Sequence, residues 1–190
     1  MVVRDLRAAS RSVTESAVDS GRWLCLHVET GREFAVENIL SDADVEALAP
    51  REKGQFVMRR GVRIQAPDRA FIPSYVFVRC RFSAEAFYGL RRVKHVFDIV
   101  GGANGPHVIH DEDISVFKRI AAGLEAPRVA TDKTFKDGDR ADIVLGPFAG
   151  FTCLVLSVKW SRHARARVLI NVGGRPFEID SMPLAFLKKL

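Results

Sequence analysis

Hydrophobic and polar positions divide the chain into two textures. From Trp23 to Val28 the order is Trp-Leu-Cys-Leu-His-Val, a short strand. Thr30-Gly31 breaks it and opens a helix in which Val36 and Leu40 lie four apart, with Phe34 and Ile39 on neighbouring faces. Residues 51–69 are basic with short apolar alternation at Phe56, Met58, Val62 and Ile64 around Arg60-Gly61, which predicts a β-hairpin. Residues 74–80 form an aromatic and β-branched strand behind Pro73. Ser83 caps a second helix with Phe87 and Leu90 inward. A further strand covers 96–100 and ends at Gly101-Gly102. Asp111-Glu112-Asp113 puts negative charge at the start of a third helix, whose Ile114, Phe117 and Ile120 repeat at three-residue steps up to Gly123. This order predicts an α+β domain, an antiparallel sheet flanked by helices, over 21–123.

The texture changes after a polar stretch, 124–134, read as a linker. Short strands at 140–144, 152–158, 165–172 and 176–179 alternate with glycine turns, which predicts a small all-β SH3-like barrel over 135–190. Residues 1–20 are rich in Ser, Ala and charge, and read as a flexible tail with a weak helical tendency.

Composition narrows the function classes. The hydrophobic fraction of 47% and charged fraction of 27% suit a globular protein. The net charge of +6 suits a polyanionic partner without requiring one. Cys25, Cys80 and Cys153 are far apart with no CxxC spacing, which predicts buried reduced thiols. No apolar run is long enough to span a bilayer and the N-terminus lacks a secretory h-region, so a cytoplasmic protein without membrane association is expected. The five histidines are scattered, His107 and His110 lack partners at ligand spacing, and no phosphate loop or nucleophile motif occurs. Neither an enzyme, nor a metal site, nor a cofactor is expected.

Motifs in both halves carry a resemblance. Phe135-Lys136-Asp137-Gly138-Asp139-Arg140 followed by Gly146-Pro147-Phe148-Ala149-Gly150-Phe151 resembles a KOW motif. Arg22-Trp23 at a strand start, Thr30-Gly31-Arg32-Glu33, the run from Phe71 to Val78, and Leu90-Arg91-Arg92-Val93 resemble the N-terminal domain of the NusG family, in order, from about residue 21 onward. Leu48-Ala49-Pro50 and the basic hairpin look like the specialised RfaH-like paralogues. Lys94-His95, Cys153 and Gly173 depart from the family pattern; the last stands where a bulky apolar residue is usual.

The resemblance implies a monomeric elongation factor that binds the clamp helices of RNA polymerase and bridges the DNA cleft. It would modulate pausing, termination or antitermination. Trp23, Phe71, Ile72, Pro73 and Tyr75 match the polymerase-binding surface, with Tyr88 toward a second polymerase contact. Trp23 and, less readily, Tyr75 can also be read as core, Tyr75 sharing a face with Phe77 by strand alternation. Arg32, Arg59, Arg60, Arg63, Arg91 and Arg92 would lie near non-template DNA. Phe148, Val172 and Arg175 would bind the barrel's own partner, a small-subunit ribosomal protein or the termination factor Rho. The alternative is a KOW-type ribosome- or RNA-binding protein, which would not need the first domain.

Overall fold

The computed structural model describes residues 6–15, 21–54, 56–102, 104–122, 134–160 and 164–190. Of the linker expected at 124–134, residues 124–133 lie outside them. In the first domain β1 (Arg22–Val28) is the central strand. After α1 (Glu33–Asp42) and β2 (Glu46–Leu48) come the hairpin strands β3 (Phe56–Arg59) and β4 (Val62–Gln65). Then follow β5 (Tyr75–Cys80), α2 (Ala84–Arg91), β6 (Val96–Ile99), β7 (Val108–Ile109) and α3 (Asp111–Ala121). One edge of β1 pairs antiparallel with β5, which continues to β2; the other edge is shared by β6 and β7.

Period-two alternation sorts this sheet into two faces. Leu24, Leu26, Val28, Val76 and Val78 pack with Val36 and Leu40 of α1 and Leu90 of α2. Trp23, Cys25, Tyr75 and Phe77 point the other way, into a cluster with Ile114 and Phe117 of α3. The hairpin turns at Arg60 and Gly61, both at positive φ, the geometry of a two-residue primed turn.

The barrel consists of β8 (Arg140–Ile143), β9 (Thr152–Lys159), β10 (Arg165–Val172), β11 (Arg175–Pro183) and β12 (Leu187–Lys189), in the order β11-β10-β9-β8-β12. Its inward series includes Val155, Val168, Ile170 and Ile179.

The N-terminal segment corrects one expectation. Over residues 6–15 it is not a free tail. A 3-10 turn, Arg7–Ala9, and a short helix, Arg11–Glu15, place Leu6 and Ala9 in the core beneath α2. The Arg81 N–H donates to the Thr14 hydroxyl at 3.2 Å, tying this segment to the end of β5. The three cysteines are free and buried, as expected.

Candidate interaction site: an aromatic sheet face covered by the barrel

The loop before β5 is fixed by a buried carboxylate. Glu33 accepts hydrogen bonds from the backbone N–H of Ser74 (2.7 Å) and of Gly31 (3.1 Å). Ser74 takes a positive φ of 69°, and its hydroxyl bonds that of Thr30 at 2.6 Å. This clamp delivers Phe71, Ile72, Pro73 and Tyr75 to the sheet face opposite α1 and α2. All except Pro73, which is half-buried, are buried, as is Trp23.

What covers this face is the barrel. Tyr75 Oη donates to the Glu178 carbonyl at 2.7 Å, and its ring meets Phe148 edge-on at 5.5 Å between centroids. His27 stacks on Tyr75 at 5.4 Å and meets Phe177 edge-on at 6.4 Å. Phe186 lies 6.1 Å from both Phe71 and Phe117. Polar contacts border these rings. Arg165 donates to the Phe71 carbonyl (2.8 Å), the Ser181 carbonyl (3.0 Å) and Glu52 Oε2 (3.0 Å), with its guanidinium 4.8 Å from the Phe71 ring centroid. Arg175 donates to Asp98 Oδ2 at 2.8 Å, while Asp98 Oδ1 takes Arg91. His107 Nε2 bonds the Pro147 carbonyl at 3.0 Å. At Gly102 and Gly173 the two backbones touch: a Cβ built on Gly102 would lie 2.3 Å from Gly173 Cα.

The open question over Trp23 and Tyr75 therefore resolves in an unusual way. Both are core residues of this arrangement, yet part of what buries Tyr75 is another domain. Phe148 and Arg175, expected to bind the barrel's partner, are engaged by the sheet domain instead. Val172 continues the inward series of β10, so it has a packing role inside the barrel. Tyr88 is exposed and accepts a hydrogen bond from Arg92 at 2.6 Å. The six arginines proposed to face DNA are exposed on three separate elements: Arg32 before α1, Arg59, Arg60 and Arg63 on the hairpin, and Arg91 and Arg92 at the end of α2. His27, Glu52, Asp98, Gly102 and Arg165 carry the contact and were not singled out from sequence. Of the barrel's contacts, the sequence marked Phe148 and Arg175, for a different partner, and Gly173, as a departure from the family pattern.

Electrostatics tie the contact to pH. Burial holds His27 below its ordinary pKa, with the Asp98 charge opposing. Burial also lowers His107, opposed by its bond to the Pro147 carbonyl and by Asp113, and reinforced by His110. Burial lowers Arg165 too, against the pull of Glu52. At Asp98 burial raises the pKa, but hydrogen bonds from Arg91, Arg175 and the Ile99 N–H together bring it below the usual range. A histidine with a lowered pKa in the closed form takes its proton more readily in an open one. Closure is then at full strength above pH ~6.5 and weakens as pH falls through the ordinary imidazole range. An interdomain spin-label distance followed from pH 8 to pH 5.5 should broaden toward longer values. A distance that stays constant over that range would contradict the role given to these histidines.

Fold and contact define a two-domain protein in which a β-barrel shields an aromatic sheet face of an α+β domain. Comparison with known proteins adds the family. The family model described as transcription termination factor nusG matches residues 21–118. The NusG protein of Vibrio cholerae, named a transcription termination/antitermination protein, is 32% identical over 139 residues, covering 71% of this chain and 74% of that one. The Escherichia coli K12 protein of the same name is 28% identical over 172 residues, 84% of this chain and 92% of that one. A solved structure described as domain interaction in Thermotoga maritima NusG overlaps with a TM-score of 0.45 at 22% identity, covering 90% of this chain and 97% of that one. The chain belongs to the NusG family of transcription termination and antitermination factors, a non-catalytic family. The family match falls on the first domain, the part a ribosomal KOW protein would not need. Among the described residues no helix is long and apolar enough to cross a membrane.

Proposed function

We propose that the chain is a transcription elongation factor that docks on the clamp helices of RNA polymerase through Trp23, Phe71, Ile72, Pro73 and Tyr75. It bridges the DNA cleft and modulates pausing, termination or antitermination. The observation that carries this reading is the cover over Tyr75. The face is aromatic, built on a rigid sheet, and shielded by a domain joined through its own polar connection. Such a face can be vacated without dismantling the core beneath α1 and α2. Tyr88 is the second polymerase contact. Phe148 and Arg175 of the barrel recruit a small-subunit ribosomal protein or Rho, while Val172, turned into the barrel core, drops out of that surface. In the closed form both binding faces are occupied by each other, so each partner favours binding of the other by stabilising the open form.

The test uses a full-length chain opened by Arg165→Glu, which leaves every proposed docking side chain in place. In that background Tyr75→Ala should weaken binding to core RNA polymerase by about 1–3 kcal/mol. A folded variant with unchanged affinity would remove Tyr75 from the docking face.

Arg59, Arg60 and Arg63 supply a sequence-tolerant electrostatic contact to non-template DNA, alongside Arg32, Arg91 and Arg92. Neutralising the three hairpin arginines should flatten the dependence of log K on log salt by about 1 for each phosphate no longer neutralised. An unaltered slope would take the hairpin off the DNA-facing surface.

A further inference from the structure

The barrel is the one ligand of the sheet face that the structure displays, and its contacts state what any replacement must offer. Polar demands surround the aromatic centre. Tyr75 Oη, buried, needs an acceptor and finds the Glu178 carbonyl. The Phe71 carbonyl needs a donor and finds Arg165. Two carboxylates stand at separate points of the border: Glu52 takes Arg165, and Asp98 keeps Oδ2 for Arg175 while Arg91 of its own domain holds Oδ1. Two further carboxylates near the face are paired within the first domain, while Asp113 of α3 takes the backbone N–H of the barrel's Gly146. Glu46 binds Arg79 and Lys118, and Glu29 binds His95. A partner that buried this face with a purely apolar surface would leave the tyrosine hydroxyl, the carbonyl and Glu52 without partners, and Asp98 Oδ2 without its own. Each such group costs about ten-fold or more in affinity.

We propose, resting on the reading of this face as the polymerase site, that the element displacing the barrel is an apolar protein tip bordered by arginine or lysine, with a hydrogen-bond acceptor aimed at Tyr75. In this respect the barrel mimics its competitor. Phe148 stands for the apolar tip, Arg165 and Arg175 for the basic border, and the Glu178 carbonyl for the acceptor. The same carboxylates then serve both states of the protein, closed by the barrel's arginines or open and bound by the partner's.

The experiment compares two full-length variants that break the same two ion pairs from opposite sides. One carries Arg165→Glu and Arg175→Glu on the barrel; the other carries Glu52→Arg and Asp98→Arg on the sheet domain. An interdomain spin-label distance reports opening, and titration with purified core RNA polymerase reports binding. Both variants should open. The barrel-side variant should bind polymerase about ten-fold or more tightly than the parent chain, because closure no longer competes. The sheet-side variant should open equally yet bind at least ten-fold more weakly than the barrel-side one. Combining all four substitutions should restore closure and leave polymerase binding weak.

Equal polymerase affinity in two equally open variants would overturn the basic-border inference while leaving the docking face intact. Opening by the barrel-side variant with no gain in affinity would instead overturn the docking reading, and this inference with it. Failure of both variants to open would end the barrel's use as a template. Arg165 is largely buried, so thermal melts check folding. Should that variant unfold, the exposed pair Arg175→Glu against Asp98→Arg repeats the comparison, with Arg175→Glu expected to bind the more tightly; equal affinity there overturns the inference in the same way.

Discussion

Phe117→Ala should be the most destabilising single truncation at the junction of the two domains, at about 3–5 kcal/mol. Phe117 is fully buried on α3. Its ring lies 5.2 Å from Phe77 of the sheet, 6.1 Å from Phe71 in the loop before β5, and 6.1 Å from Phe186 of the barrel. Removing it empties a space walled by three other aromatic rings, none of which can move in without abandoning its own packing. Urea unfolding of the full chain measures the loss. Both the stability of the sheet domain and the closure of the barrel should fall, since Phe117 belongs to both contacts. A loss under ~1 kcal/mol would mean that α3 and the barrel are not packed through this ring.

The second large effect lies at Gly102. Its φ is not in the left-handed region, so a side chain there carries no backbone strain. The obstacle is Gly173, whose Cα, carbonyl carbon and oxygen would lie 2.3–2.6 Å from a new Cβ. Backbone cannot rotate aside as a side-chain end can. Gly102→Val should therefore act against closure by about 1–3 kcal/mol, roughly a 5- to 150-fold drop in the closed-to-open ratio. Chain compactness by small-angle scattering reports it, and an unchanged radius of gyration would show that the two glycines do not set the contact. The same geometry gives Gly173 a meaning that sequence alone could not. This position stands at φ 58°, pressed against a second glycine. A large side chain there would oppose closure both by strain and by contact.

Much of the fold was legible because its signals are local. Alternation in β5 puts Tyr75 with Phe77 on one face and Val76 with Val78 on the other, and the structure keeps that division. Turn glycines and β-branched runs placed four of the barrel strands. Other elements lack any such signal. Glu46–Leu48 and Val108–Ile109 are two or three residues long and are strands only because β5 and β1 offer them an edge. Leu6 and Ala9 are isolated apolar residues in a polar segment, and nothing nearby reveals the groove they fill. The candidate site failed to be legible for a related reason. Periodicity says which face a side chain occupies but not what lies over it. The pairs that answer that question, Arg165 with Glu52 and Arg175 with Asp98, stand 113 and 77 residues apart. Single-sequence patterns do not extend over such separations.

The central claim is that the barrel and RNA polymerase compete for the face around Tyr75. Spin labels at exposed Arg32 and Lys188, one on each domain, test it most directly, because the native cysteines are buried. The interdomain distance distribution is recorded for the full chain alone and with saturating core RNA polymerase. The account predicts one narrow distance for the free chain, replaced on binding by a longer and broader distribution. Polymerase bound at saturation with the narrow distance unchanged would contradict it.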